Sequence, residues 1–128
     1  MIDNLLISST ETTPEVNFYA SQNKALMRGE SYPENAAEFY ARVIEWLTNY
    51  VENMKEDDLF DFLLHLTYFN SSSSKVLLDI FDLLDEAGEN GNKIVIHWLY
   101  DKGNETLQEY GEEFQEDFEN VEFLLEEV

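Results

Sequence analysis

Ser71 to Ser74, in the stretch "YFNSSSSKVLLDIFDLL", set four hydroxyls in a row between an aromatic, apolar run and a segment with helical spacing. A serine at the start of a helix has two compatible uses. It caps the helix by accepting from a first-turn N–H, or it carries a phosphoryl group. A phosphate suits such a place, because free N–H groups and the positive end of the helix dipole favour an anion. A third use, as a flexible spacer, is ruled out because the run joins its flanking segments too tightly to be a tether.

Other chemistry-bearing residues are sparse or unspecific. His65 and His97 each lie among large apolar neighbours. If their segments are adjacent, the pair could serve a metal or an acid–base reaction; the simpler alternative is histidines hydrogen-bonded within a sheet. Carboxylates are so numerous that spacing picks out no catalytic pair. The chain has no cysteine, which excludes disulfides, thiolate metal sites and cysteine nucleophiles. "GENGNK" lies between a helix and a strand, and its spacing fits neither phosphate-binding glycine pattern. Trp46, Trp98, Tyr40, Tyr50 and Phe81 fall on core-facing stripes, where packing outweighs ligand stacking. No metal or cofactor is expected.

The elements that hold the serines follow from periodicity. "NLLIS" (Asn4 to Ser8) reads as a short strand, and "EVNFYA" (Glu15 to Ala20) with "KALMRGE" (Lys24 to Glu30) as a hairpin. In "SYPENAAEFYARVIEWLTNYVENM", Ser31 followed three residues later by Glu34 has the form of a capping box. Pro33 fits a first turn, and apolar residues then recur at three-to-four spacing. "DLFDFLLHLTYF" (Asp58 to Phe69) reads as a strand buried on both faces, with Phe60, Phe62, Leu64, Leu66 and Tyr68 on one of them. Val76, Leu77, Ile80, Phe81, Leu84 and Ala87 then form a helical stripe that Gly88 is placed to stop. "KIVIHWL" (Lys93 to Leu99), "NETLQEYGEEFQEDF" and "VEFLL" (Val121 to Leu125) add a strand, a helix and a closing strand. Strands alternating with helices predict an α/β (or α+β) fold: a small mixed sheet, an N-terminal hairpin followed by parallel βαβαβ, and about three helices. The serine run then sits at a strand-to-helix junction on the carboxyl edge of the sheet, where such folds present functional groups.

Composition narrows the partners. With 128 residues, 44% hydrophobic, one core and one domain over residues 1–128 are expected. The 28 acidic residues against 7 basic ones give a net charge of -21, which repels nucleic acid and anionic lipid and attracts a basic protein surface. No apolar run approaches the roughly 20 residues that span a bilayer, and the N-terminus lacks the pattern of a signal peptide. No membrane insertion is expected, and a cytoplasmic location follows by default. An acidic mimic of nucleic acid is a further alternative.

Three stretches carry a resemblance. "GESYPENAAEFYARVIEWLTNY" (Gly29 to Tyr50), "LHLTYFNSSSSKVLLDIFDLLDEA" (Leu64 to Ala87) and "IHWLYDKGNETLQEYGEEFQEDF" (Ile96 to Phe118) closely resemble the bacterial SiaC family of regulatory phosphoproteins. The "SYPEN" block and the strand-end asparagine followed by hydroxyls are its most specific elements. The resemblance implies a STAS-like fold, as in anti-sigma-factor antagonists, and a protein without enzymatic activity of its own. It further implies a switch: a dedicated serine/threonine kinase phosphorylates one hydroxyl after the asparagine, and a metal-dependent phosphatase removes the group. The unphosphorylated form binds a GGDEF diguanylate cyclase and promotes synthesis of cyclic di-GMP, a signal for biofilm growth. Carried onto this chain, the modified residue is Ser71, with Ser72 as the alternative. Serine stands here where the family has threonine, and Ser74 where an apolar residue is more usual. The partner-facing surface implied is Asn70, Ser71, Ser72, Ser73 and Lys75, with Tyr32, Glu34 and Asn35 beside them. The same module acting as an anti-sigma-factor antagonist is the alternative function.

Overall fold

The computed structural model describes residues 2–128. Six strands form one sheet in the order of the chain: β1 (Leu5–Ile7), β2 (Glu15–Tyr19), β3 (Lys24–Ser31), β4 (Leu59–Phe69), β5 (Lys93–Tyr100) and β6 (Glu122–Glu127). The first three are antiparallel, and β3 to β6 run parallel through three crossover helices, α1 (Ala36–Glu52), α2 (Ser71–Glu89) and α3 (Glu105–Asp117). This is the mixed sheet, hairpin and parallel βαβαβ expected from the alternation of patterns. The hairpin turns through a short 3-10 segment ending at Asn23, whose left-handed φ of 55° is one that asparagine tolerates.

The core lies on one face of the sheet. Phe18, Met27, Phe60, Phe62, Leu64, Ile96 and Trp98 are buried there beneath Tyr40, Val43 and Leu47 of α1, Leu77, Ile80 and Phe81 of α2, and Phe114 of α3. Burial alternates along β4, so only one of its faces is covered. This corrects the expectation of a strand buried on both faces. Asp61, His65 and Thr67 occupy the second face, and Leu59 and Leu63 are partly solvated beside them.

The alternation also changes phase before the strand ends. Gly29 pairs with Leu66 and Glu30 with Tyr68, so Thr67 is the extra residue of a bulge in the β3–β4 ladder. Beyond it Phe69 turns inward, against Trp98 and Tyr110, and Tyr68 turns outward with half its surface exposed. A strict period of two had placed Tyr68 inside. One inserted residue is enough to exchange the faces.

Two further expectations are corrected by local chemistry. Ser31 does not cap α1; it is the last residue of β3, and Asn35 caps instead, its side-chain oxygen accepting from Glu38 N–H at 3.1 Å. Asparagine is as good a cap as serine, and Pro33 biases the residue before it toward extended backbone, which keeps the chain strand-like past Ser31. Gly88 does not stop α2, which runs on to Glu89; it lets the helix touch the chain before β6. A Cβ there would stand 2.0 Å from the Asn120 carbonyl oxygen, so no larger residue fits without movement. The turn itself is made at Gly91, with φ 102°.

Candidate functional site

The ends of β3 and β4 form the site. The Asn70 N–H donates to the Ser31 carbonyl at 3.1 Å, which carries the parallel pairing one residue beyond β4 and sets Tyr32 opposite Asn70. Asn70 then turns the chain into α2. Its side-chain oxygen accepts from Ser73 N–H and its carbonyl from Ser74 N–H, both at 2.9 Å. The cap is therefore Asn70, not a serine, and Ser71 to Ser74 are the first turn of the helix. With those two N–H groups taken, the N–H groups of Ser71 and Ser72 are the first-turn donors left without a partner inside the helix.

The four hydroxyls are not equivalent. Ser71 and Ser72 are exposed and Ser74 is half-buried. Ser73 is fully buried, with its Oγ 2.8 Å from Ser31 Oγ. Ser31 in turn lies 2.6 Å from the Tyr40 hydroxyl, so β3, α1 and α2 are joined through three buried oxygens. Burial pushes the Tyr40 phenol up to about 12, against the smaller opposing effect of its bond to Ser31, so it stays neutral. This geometry removes Ser73 from the partner-facing set, because its position in the turn faces the core. No buried side-chain oxygen or nitrogen among the described residues lacks a partner.

Electrostatics single out the same helix end. The first turns of α1 and α3 contain Glu38 and Glu105, yet that of α2 contains no acidic residue in a chain carrying 28 of them. Lys75 is exposed one turn along. Helix dipole, free N–H groups and the absence of carboxylates combine to favour an added anion on Ser71 or Ser72.

Tyr32 is exposed and packs edge-on against Tyr68, with ring centroids 5.7 Å apart. Glu34 and Asn35 follow at exposed positions, Asn35 being engaged as the α1 cap. The structure brings the named segments together and adds Tyr68, Ser31 and Tyr40 as neighbours that the sequence pattern does not point to. Nothing in a period-two pattern reveals a bulge, and a bond between side chains nine residues apart has no spacing signature.

The histidines serve the open face of the sheet. His65 Nε2 lies 2.9 Å from Asp101, while His97 bridges two strands, its Nε2 2.9 Å from Asp61 and its Nδ1 3.1 Å from Glu126. Each has its own carboxylate partners and they share none, the arrangement of histidines hydrogen-bonded within a sheet. Burial disfavours the His97 cation, but the hydrogen bonds its ring donates to Asp61 and Glu126 outweigh it and hold the pKa above the usual 6.5. The folded state thus binds this proton more tightly than the unfolded chain. The resulting stabilisation is complete below about pH 6.5 and is lost as pH rises through the higher folded value. Thermal melts between pH 6 and 8.5 are expected to show a declining Tm that His97→Gln flattens; an unchanged slope in that variant would remove the role of this bridge.

The fold is a two-layer α/β arrangement that presents two exposed serines, Ser71 and Ser72, on an acid-free helix end. The chain belongs to the SiaC family: the family model described as "SiaC family regulatory phosphoprotein" matches residues 7–128. An uncharacterised protein of Pseudomonas aeruginosa strain UCBPP-PA14 is 37% identical over 116 residues, covering 91% of this chain and 90% of that protein. SiaC of Pseudomonas aeruginosa superposes with a TM-score of 0.90 at 32% identity, covering 99% of this chain and 100% of that one. A chain of the Pseudomonas aeruginosa diguanylate cyclase SiaD in complex with its activator SiaC also superposes at 0.90, with 35% identity over 97% of this chain and 99% of its own length.

Proposed function

We propose that this chain is a single cytoplasmic regulatory domain that binds and activates a GGDEF diguanylate cyclase when Ser71 is unmodified, and that phosphorylation of Ser71 releases it. A cognate serine/threonine kinase adds the group and a metal-dependent phosphatase removes it. The domain itself carries out no catalysis; its output is the cyclic di-GMP made by the partner, a signal for biofilm formation. Asn70, Ser71, Ser72, Lys75, Tyr32, Glu34 and Asn35 form the surface that meets the cyclase.

The observation that carries this reading is the exposure of Ser71 on an acid-free helix start in a chain of a regulatory phosphoprotein family. The SiaC relative in complex with SiaD, which it activates, supports the choice of partner. Phosphate is locally welcome at this helix end, so modification leaves the fold intact. A docked partner, however, meets a new dianion, and an unpaired buried charge in an interface costs on the order of 3–5 kcal/mol. Ser72 is the alternative acceptor, whereas Ser73 is excluded by burial.

Intact-mass and fragment mass spectrometry of the protein isolated from its own cells tests the modification. One phosphoryl group on Ser71, varying with growth condition, is expected. Unmodified protein under every condition would contradict the switch.

A further inference from the structure

Six large hydrophobic residues among the described ones are exposed, and two of them, Tyr32 and Tyr68, form one ordered pair at the carboxyl ends of β3 and β4, where Asn70 leads into α2. Tyr32 is 37% and Tyr68 50% exposed. Their position is built into the backbone. Tyr68 would point into the core if the β3–β4 ladder were regular; the extra residue at Thr67 turns it out, opposite a Gly29 with φ 121°. Bulges in parallel ladders are rare, and bulges in general tend to re-aim a side chain next to a functional site. Tyr32 is fixed from the other side, its N–H donating to the Thr12 carbonyl at 2.8 Å. Asn104, at the start of α3, donates to the Thr67 carbonyl at 3.3 Å and ties down the bulge.

We infer that the Tyr32–Tyr68 pair is the apolar anchor by which the cyclase docks, the feature that gives the complex its affinity while Ser71 supplies its switch. This rests on the function proposed above. Tyrosine presents a large, rigid contact area at little entropic cost and is enriched at the centres of interfaces. A pair already held edge to face needs little further ordering on binding. The stretch from Tyr68 through Asn70 to Lys75 is free of carboxylates, while Glu30 and Glu34 flank Tyr32 at exposed positions. The matching partner surface is therefore an apolar segment with lysine or arginine on the side that meets Glu30 and Glu34, and no basic residue on the side that covers the carboxylate-free serine end.

The test is a titration of the purified cyclase with wild type, Tyr68→Ala, Tyr32→Ala, the double variant and Ser71→Asp, after melting curves show each to be folded. Both tyrosines are exposed, so the fold is expected to survive. The single alanine variants should each bind roughly tenfold or more weakly. The double variant should lose less than the product of the two, because removing one ring frees the other. Tyr68→Phe should bind as wild type. A double variant binding within about twofold of wild type would overturn the anchor, whatever Ser71→Asp does. If the tyrosine variants lose affinity while Ser71→Asp keeps it, the anchor stands and the switch reading fails.

Discussion

Ser71→Asp is expected to bind the diguanylate cyclase about a hundredfold more weakly than wild type, while Ser71→Ala binds within about threefold. The direction is the one the SiaC-family resemblance implies; the magnitude follows from where the charge lands. An aspartate in the first turn of α2 is favoured in the free protein by the helix dipole and the unpartnered N–H groups, so the variant should melt no lower than wild type. In the complex the same carboxylate is taken out of water without a partner. A cost of about 3 kcal/mol, at the low end for a stranded interfacial charge, corresponds to about two decades in Kd. Ser71→Ala removes only a solvated hydroxyl, because the cap at this helix is Asn70. Calorimetric titration against the cyclase separates the outcomes. Equal affinity for the two variants would contradict charge gating, and a lowered Tm in Ser71→Asp would contradict the acceptance of anions at this helix end.

Ser31→Ala is expected to be the most damaging conservative change near the site. Ser31 Oγ is the middle of the three-oxygen chain, so its loss removes the hydrogen bonds of both Tyr40 and Ser73 inside the core. An orphaned buried hydroxyl costs about 1–3 kcal/mol. The two together should lower the stability by about 2–6 kcal/mol and the Tm by roughly 5–25 °C. Tyr40→Phe removes one end of the chain and keeps the Ser31–Ser73 bond, so its cost should be nearer to about 1 kcal/mol. A Ser31→Ala protein melting with wild type would show that the oxygens are satisfied by water. Because Ser73 belongs to the first turn of α2, the same change should also loosen the presentation of Ser71 to the proposed kinase.

Much of this architecture was legible because burial enforces periodicity. Phe60, Phe62, Leu64 and Leu66 alternate since one face of β4 meets three helices, and the stripes of α1 and α2 mark the helix sides that cover it. The strand-to-helix junction carrying Asn70 and Ser71 followed from that alternation alone. What periodicity cannot express is a break in itself. The bulge at Thr67 exchanges Tyr68 with Phe69 without altering the composition of the segment. Capping was ambiguous for a different reason: Ser31 and Asn35 are both good caps, and the choice between them is made by Tyr40 and Ser73, distant residues that claim the Ser31 hydroxyl. Gly88 was misread as a stop because its close neighbour, Asn120, lies far along the chain. The preference for Ser71 over Ser72 came from family resemblance; the structure adds only that both are exposed and that Ser73 is not.

The direct measurement is cyclic di-GMP synthesis by the purified cyclase in the presence of this protein, either unmodified or stoichiometrically phosphorylated on Ser71 as verified by fragment mass spectrometry. The unmodified form should raise turnover in a saturable manner, and the phosphorylated form should leave it at the level of the cyclase alone. Equal stimulation by the two forms would contradict a switch at Ser71, and no stimulation by either would contradict the cyclase as the partner.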